Sequence, residues 1–116
     1  MREPIVAEVG DADFATAVLD QPVPVVVDFW GENCPPCRAL APTLETLAIR
    51  YRGQARVVKL DVHTHSRTAA AYGIGSIPTV MVFRHGEPQA KLVGLRGLEA
   101  YTAALDAVLA AGEAAG

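Results

Sequence analysis

The amino-acid sequence predicts an α/β protein in which a central mixed β-sheet is flanked by helices on both faces. A near-continuous, valine-rich apolar run at 23–30 is typical of a strand that is buried on both faces of a sheet. Apolar residues at helical spacing follow it at 35–52, and the strand-like run RVVKLDV occupies 56–62. A strand, a helix and a strand with short connections form a βαβ unit, whose crossover is right-handed.

The segment before this unit predicts a strand and a helix. The residues at 5–9 predict a short strand at the edge of the sheet. Asp11 or Asp13 is expected to cap a helix that extends to about Leu19, because an aspartate accepts hydrogen bonds from the free N–H groups of a first helical turn. Within the helix of the βαβ unit, Pro42 is expected to cause a kink, since proline lacks the N–H of the helical ladder.

The segment after the unit predicts two more helices and a hairpin. The run SRTAAAY at 66–72 predicts a short helix that ends at Gly73. Residues 79–94 predict a hairpin with His85 and Gly86 in its turn. A final amphipathic helix is predicted from the spacing of Leu98, Tyr101, Leu105, Val108 and Leu109. The resulting order βαβαβαββα is that of a mixed sheet covered by helices.

Length and composition indicate one globular domain that covers residues 1–116. Hydrophobic residues make up 51% of the chain and charged residues 20%, which supports a packed interior. Ten Lys and Arg against 13 Asp and Glu give a net charge of −3, so electrostatic binding of nucleic acid or of an anionic membrane is not expected. The acidic N-terminal segment lacks the apolar core of an export signal, and we expect a cytoplasmic protein.

The two cysteines, Cys34 and Cys37, form a Cys-Pro-Pro-Cys motif. A disulfide that closes a four-residue loop contributes only about 2 kcal/mol in the chain-entropy model, so a purely structural bridge is disfavoured. A zinc site needs about four ligands, and His63, His65 and His85 are expected on separate, solvated loops, so no metal site is expected. A redox-active dithiol remains, and a C-x-x-C motif beside a βαβ pattern is its usual context.

The predicted elements place this dithiol at the start of a helix. Cys34 is expected at the helix cap and Cys37 one turn inside, where free backbone N–H groups and the positive end of the helix dipole favour a thiolate on Cys34. Such sites lower the pKa of a cysteine and make it a nucleophile toward disulfides. Pro36 fits the first helical turn, because the N–H that it lacks has no partner there.

Asp28 is the only charged residue in the predicted strand at 23–30. If this strand lies at an edge, Asp28 faces water, but its apolar neighbours favour a buried position. A buried carboxyl group with few partners has a raised pKa. Asp28 is then suited to accept and return the proton of Cys37, with a water molecule between them.

Taken together, these motifs resemble the thioredoxin family along almost the whole chain. The matching residues, in family order and spacing, are Val27-Asp28-Phe29-Trp30, Cys34-Pro35-Pro36-Cys37-Arg38, Pro42, Lys59-Leu60-Asp61, Tyr72-Gly73-Ile74, Ile77-Pro78-Thr79, Phe83, Gly86 and Gly94. The resemblance implies the thioredoxin fold and thiol–disulfide exchange, in which the protein reduces the disulfides of other proteins.

The resemblance also implies a role for each matching residue of the site. By position, Cys34 is the nucleophile, Cys37 the resolving thiol, Asp28 the buried proton acceptor and Lys59 its charge partner. The residues that the resemblance implies as substrate contacts are Trp30, Asn33, Pro35, Pro36, Ile77, Pro78 and Gly94. Pro78 is implied to follow a cis peptide bond and to pack against the disulfide, although most X-Pro bonds are trans. The backbone of Ile77 would pair with an extended substrate segment.

Two residues of the site depart from the usual family sequence, Trp-Cys-Gly-Pro-Cys. Asn33 stands in the place of an aromatic residue that would cover the site and contact partners. Pro35 stands in the place of a glycine, which removes one backbone N–H and fixes one φ angle. These departures affect the choice of partner and the reduction potential, but not the exchange chemistry.

The implied partners are disulfide-containing proteins and an NADPH-dependent thioredoxin reductase, with no bound cofactor and a monomeric chain. Within this class, a general disulfide reductase and a dedicated protein that serves few partners remain open. The alternative from another class is a binding module that uses the same scaffold without redox turnover. Such a module need not keep both cysteines, Asp28 and Pro78, all of which this chain has. Reduction of insulin in the presence of dithiothreitol distinguishes the two classes.

Overall fold

The computed structural model describes residues 4–115, so Met1 to Glu3 and Gly116 of the predicted domain lie outside the described residues. The described strands are β1 (Ala7–Glu8), β2 (Val25–Trp30), β3 (Arg56–Asp61), β4 (Thr79–Arg84) and β5 (Glu87–Val93). The helical elements are a π-helical turn (Ala15–Leu19), α1 (Pro35–Arg50), α2 (Ser66–Ala71) and α3 (Leu98–Ala115). No helix within residues 4–115 is both long enough and apolar enough to cross a membrane.

The strands form one sheet in the order β1-β3-β2-β4-β5. Strand β3 pairs in parallel with both β1 and β2, whereas β4 is antiparallel to β2 and to β5. This topology confirms the predicted mixed sheet and the βαβ unit made of β2, α1 and β3. It also places β2 in the centre of the sheet, which explains its near-continuous apolar sequence.

Alternate residues of β2 contribute to two separate cores, one on each face of the sheet. Val26 packs on the first face with residues of α1 and α3, including Leu40, Leu44 and Leu105. The opposite face is packed by a second cluster, whose residues include Phe14, Val18, Val25, Val27, Phe29 and Phe83. Because side chains alternate along a strand, Asp28 lies on the first face together with Val26.

The predicted cap of the first helix is wrong, because Asp11 caps a different helix. The carboxylate of Asp11 accepts hydrogen bonds from the backbone N–H of Thr68 at 2.8 Å and of Arg67 at 3.3 Å, and from the Thr68 hydroxyl at 2.6 Å. These groups belong to α2, and they lower the pKa of Asp11, with the Thr68 hydroxyl as the largest cause. The Asp13 carboxylate instead accepts the N–H of Gly10.

We expect the substitution Thr68→Val to lower the free energy of unfolding by about 1 kcal/mol, the net contribution of one hydrogen bond. Asp11→Ala should cost more, because three donors of α2 lose their acceptor. Urea denaturation of each variant measures both effects. Asp13→Ala is the matched control, since its carboxylate accepts a single backbone hydrogen bond from Gly10. A loss for Asp11→Ala that is no larger than that of Asp13→Ala contradicts the assignment.

The histidines are only partly the solvated loop residues that the sequence predicted. His65 is half-buried, and its Nδ1 accepts the backbone N–H of Asp11 at 3.2 Å. Its ring lies so close to Gly10 that a Cβ atom there would approach the ring to 2.3 Å. The ring therefore helps to join the N-terminal segment to α2, and Gly10 leaves room for it. His85 is exposed in the β4–β5 turn, as predicted.

Candidate active site

The two cysteines lie at the N-terminus of α1, directly after the carboxyl end of β2. Cys34 is the N-cap residue with an extended backbone, and its Sγ accepts the backbone N–H of Cys37 at 3.2 Å. The two sulfurs are joined in a disulfide, and the Cα atoms are 5.2 Å apart. This confirms the predicted position of the dithiol at the start of the helix, where the helix dipole favours negative charge on Cys34.

The prolines of the motif leave Cys37 as the first residue of α1 that has a backbone N–H. Pro35 and Pro36 form the beginning of α1, where proline is tolerated because the first N–H groups have no partner within the helix. Because neither proline carries an N–H, the first donor of α1 is that of Cys37, and it points at the Sγ of Cys34. Asn33, just before the motif, is exposed and has a left-handed backbone with φ of 59°.

Both cysteines are nearly inaccessible in the disulfide form. Cys34 is 8% exposed and Cys37 4% exposed, so Cys34 is the more accessible of the two. The chain that precedes β4 covers the sulfur. The carbonyl oxygen of Ile77 lies 4.0 Å from the Sγ of Cys34, and the next residue, Pro78, is buried.

The loop beside the dithiol contains the cis peptide bond that the resemblance implied, between Ile77 and Pro78. The carbonyl oxygen of Pro78 accepts the N–H of Gly94 at 2.8 Å, which ties the end of β5 to this loop. Gly94 has a φ of 88°, a conformation that glycine adopts without strain. Its neighbours Val93 and Leu95 are large exposed apolar residues. Neither residue was among the predicted site residues, and the only signal for them in the sequence was their position on either side of Gly94.

Asp28 is buried on the α1 side of the sheet, as predicted, with 4% of its surface exposed. Burial raises the pKa of its carboxyl group to about 7, and the positive charge of Lys59 opposes this rise. Its Oδ1 has no hydrogen-bond partner among the residues that the structure describes. A cavity of about 360 Å³ connects it to the dithiol, and the residues that line this cavity include Asp28, Trp30, Cys37, Arg38 and Lys59.

Lys59 lies beside Asp28 in the sheet but is not in an ion pair with it. Its ammonium group is 3.8 Å from a carboxylate oxygen of Glu8, which is the ion pair found within residues 4–115. The same ammonium lies 5.3 Å from the centre of the Trp30 ring, within range of a cation–π interaction. Lys59 therefore acts on Asp28 through its charge and not through a direct bond.

His63 lies nearer to the site than its predicted loop position suggested. Its ring approaches Gly31, the residue after Trp30, and a Cβ atom at Gly31 would lie 2.9 Å from both His63 and the end of the Ile77 side chain. His63 is exposed, and its backbone N–H donates to the Asp61 carboxylate. Within the described part of the chain, no group of three or more His, Cys, Asp or Glu residues can hold a metal ion.

Comparison with known proteins places this geometry in one family. The family model for thioredoxin matches residues 5–107. A thioredoxin of Synechocystis sp. is 45% identical over 87 residues, which cover 75% of this chain and 81% of the relative. A thioredoxin of Mycobacterium tuberculosis is 44% identical over 90 residues, which cover 78% of each chain. A bifunctional thioredoxin reductase/thioredoxin of Mycobacterium leprae is 43% identical over 93 residues, which cover 80% of this chain and 20% of that protein.

The sheet topology, the Cys34–Cys37 disulfide and the sequence similarity agree with one another. The mixed sheet of five strands with flanking helices is that of the thioredoxin fold. The adjacent cysteines at the head of α1 can exchange between a dithiol and a disulfide. The chain therefore belongs to the thioredoxin family, and its activity is that of a protein thiol–disulfide oxidoreductase.

Proposed function

We propose that Cys34 attacks the substrate disulfide and that Cys37 resolves the product. The Cys34 thiolate forms a bond with one substrate sulfur, the substrate S–S bond breaks, and the leaving thiolate takes up a proton. Cys37 then loses its proton and attacks the Sγ of Cys34, which releases the second substrate thiol. The substrate gains two electrons and two protons, and the protein is left with the Cys34–Cys37 disulfide. The observation that carries this assignment is the hydrogen bond from the Cys37 N–H to the Cys34 Sγ.

Asp28 is the proton acceptor for Cys37 in this proposal, with Lys59 as its charge partner. The pKa of about 7 that burial causes leaves the carboxyl group able both to take up and to release a proton near neutral pH. Asp28 and Cys37 line the same cavity, whose volume of about 360 Å³ is large enough for the water that would carry the proton between them.

The substrate is an extended segment that docks over the dithiol. Ile77 supplies backbone groups for pairing with it, and Pro78 carries neither a donor nor a side chain that competes for the thiols. The surrounding contacts come from Trp30, Asn33, Pro35, Pro36 and Gly94. The exposed Val93 and Leu95 beside Gly94 support an apolar component in the substrate.

The electrons are returned by an NADPH-dependent thioredoxin reductase, and the protein acts as a cytoplasmic monomer built from a single domain of residues 1–116. The relative in Mycobacterium leprae, whose name joins a thioredoxin reductase to a thioredoxin, supports a reductase as the partner. The buried cores on both faces of the sheet support folding as one unit.

Alkylation of the reduced protein tests the division of labour between the thiols. At limiting iodoacetamide and neutral pH, we expect the label on Cys34, because Cys34 is at the helix cap and is the more exposed residue of the two. Peptide mass spectrometry locates the label, and a parallel measurement of the insulin reduction rate gives the loss of activity. Rapid labelling of Cys37 with Cys34 intact would refute the assignment.

The double substitution Asn33→Trp with Pro35→Gly should improve turnover with NADPH and a generic thioredoxin reductase. The first change restores an aromatic contact on the docking surface, and the second restores a backbone N–H that can face the Cys34 sulfur. One such hydrogen bond contributes about 1 kcal/mol, so an increase in kcat/KM of roughly fivefold is expected from that change. The two single variants separate the contributions. Equal or slower turnover by the double variant contradicts the prediction.

A further inference from the structure

Three charged side chains stand in a row across the sheet, on the strands β1, β3 and β2. Glu8 is the register partner of Lys59 in the β1–β3 pair, and Asp28 is the register partner of Lys59 in the β2–β3 pair. Residues in register on neighbouring strands point to the same face of a sheet. This is the face that α1 covers, where Val26 and Val57 join the core.

The row runs from solvent to the protein interior. The Glu8 side chain is 68% exposed, that of Lys59 is 38% exposed, and Asp28 is buried. The Lys59 ammonium lies 3.8 Å from the Glu8 carboxylate and 5.3 Å from the centre of the Trp30 ring. These two contacts hold the Lys59 ammonium on the side of the row that is nearer to Glu8 and to solvent. The positive charge of Lys59 therefore acts on Asp28, but the two side chains do not form an ion pair.

We propose that Glu8 is a positioning residue that sets the proton affinity of Asp28 through Lys59, and with it the pH range in which Cys37 resolves the mixed disulfide. The second half of this inference rests on the proposed proton-acceptor role of Asp28. Without Glu8, the Lys59 ammonium is free to approach Asp28, which favours the ionised carboxylate. The lost negative charge of Glu8 acts on Asp28 in the same direction, so both effects lower its proton affinity.

Other ionisable or charged groups also lie around Asp28. The ionisable or charged side chains that face Asp28 or its cavities are Glu32 from the loop between β2 and α1, and Cys37, Arg38, Glu45 and Tyr101 from the helices. The pKa of Tyr101 is raised first by burial, and the charge of Asp28 raises it further. The raised pKa of Asp28, with Lys59 as the opposing charge, is consistent with control through Lys59.

The test is the variant Glu8→Gln, with the pH titration of the Asp28 carboxyl carbon followed by NMR in the reduced protein. We expect a proton affinity lower by about threefold, a modest change because Glu8 is exposed and partly screened by solvent. Glu8→Asp, which keeps the charge on a shorter side chain, should restore part of the wild-type value. Glu87→Gln is the control, since it removes the same charge from β5 at the opposite edge of the sheet. An unchanged or increased proton affinity in Glu8→Gln would overturn the proposal.

A second pair of variants separates action through Lys59 from direct action. In a Lys59→Met background, which keeps the apolar stem, adding Glu8→Gln should shift the Asp28 titration by much less than in the wild type. A shift of full size would overturn the route through Lys59. The resolution rate of a mixed disulfide, measured against pH by stopped flow, should move to lower pH with the titration. If the titration moves and this profile does not, the failure lies in the proton-acceptor role of Asp28 and not in the coupling of Glu8 to it.

Discussion

Replacing Cys37 with serine is expected to turn the protein into a trap that stays covalently attached to its substrate. The Cys34 thiolate still attacks the substrate disulfide, but no second thiol is available to release the mixed disulfide. We expect close to one substrate molecule bound per variant chain after incubation with an oxidised protein such as insulin. Non-reducing electrophoresis and intact mass measure this adduct, which dithiothreitol should remove.

Replacing Cys34 with serine is the matched experiment. A serine hydroxyl is not ionised near neutral pH and does not attack the disulfide, so no adduct should form and insulin reduction should fall to the rate of dithiothreitol alone. The two cysteines are only three positions apart, and both are buried in the oxidised protein, so the pair controls for general effects on folding. An adduct with Cys34→Ser and none with Cys37→Ser would reverse the roles of the two thiols.

The substitution Asp28→Asn is expected to remove a large pH dependence from the stability of the protein. Burial of the carboxyl group raises the pKa of Asp28 to about 7 in the folded protein, against 3.8 for an unperturbed aspartate. Between these values the folded state holds a proton that the unfolded state has lost, so the stability of the wild type falls as the pH rises. Between about pH 4 and pH 7, the free energy of unfolding of the wild type falls by at most about 4 kcal/mol through this effect.

The stability of the Asp28→Asn variant relative to wild type should therefore increase between about pH 4 and pH 7 and be constant on either side. Urea denaturation at a series of pH values measures this difference in stability. Any free-energy cost of burying the asparagine amide is the same at every pH, so it shifts the whole difference curve without changing its shape. The same variant should resolve a mixed disulfide more slowly, because Cys37 loses its proton acceptor. A flat difference curve together with wild-type turnover would show that Asp28 is neither buried nor catalytic.

Patterns that repeat locally along the chain were sufficient to predict most of the fold. The valine-rich run at 23–30 was interpreted as a strand buried on both faces, and β2 is the central strand. The position of Cys34 and Cys37 at a helix start followed from the strand before them and the apolar spacing after them. The burial of Asp28 followed in the same way. In each case the deciding interactions lie within a few residues in sequence, or follow from the period of an element.

The wrong predictions concern partners that are distant in sequence. Asp11 looked like the cap of the helix beside it, but its carboxylate is 57 positions from Thr68 and bonds to α2. His65 was expected to be a solvated loop residue, but its ring accepts the backbone N–H of Asp11, which is 54 positions away. A side chain with several possible partners selects among them by packing, and packing between distant segments leaves no periodic signal in the sequence.

The sequence was therefore sufficient to predict the chemistry of the dithiol, whereas the tertiary structure determined its electrostatic surroundings. Two cysteines one turn apart at a helix start, and a carboxyl group in an apolar strand, determine that thiol exchange with a nearby buried acid is possible. That Glu8, Lys59 and Asp28 form one row depends on the register of β1 and β2 on either side of β3. Register is set by the packing of the whole sheet, because a shift of one residue would turn each side chain to the opposite face.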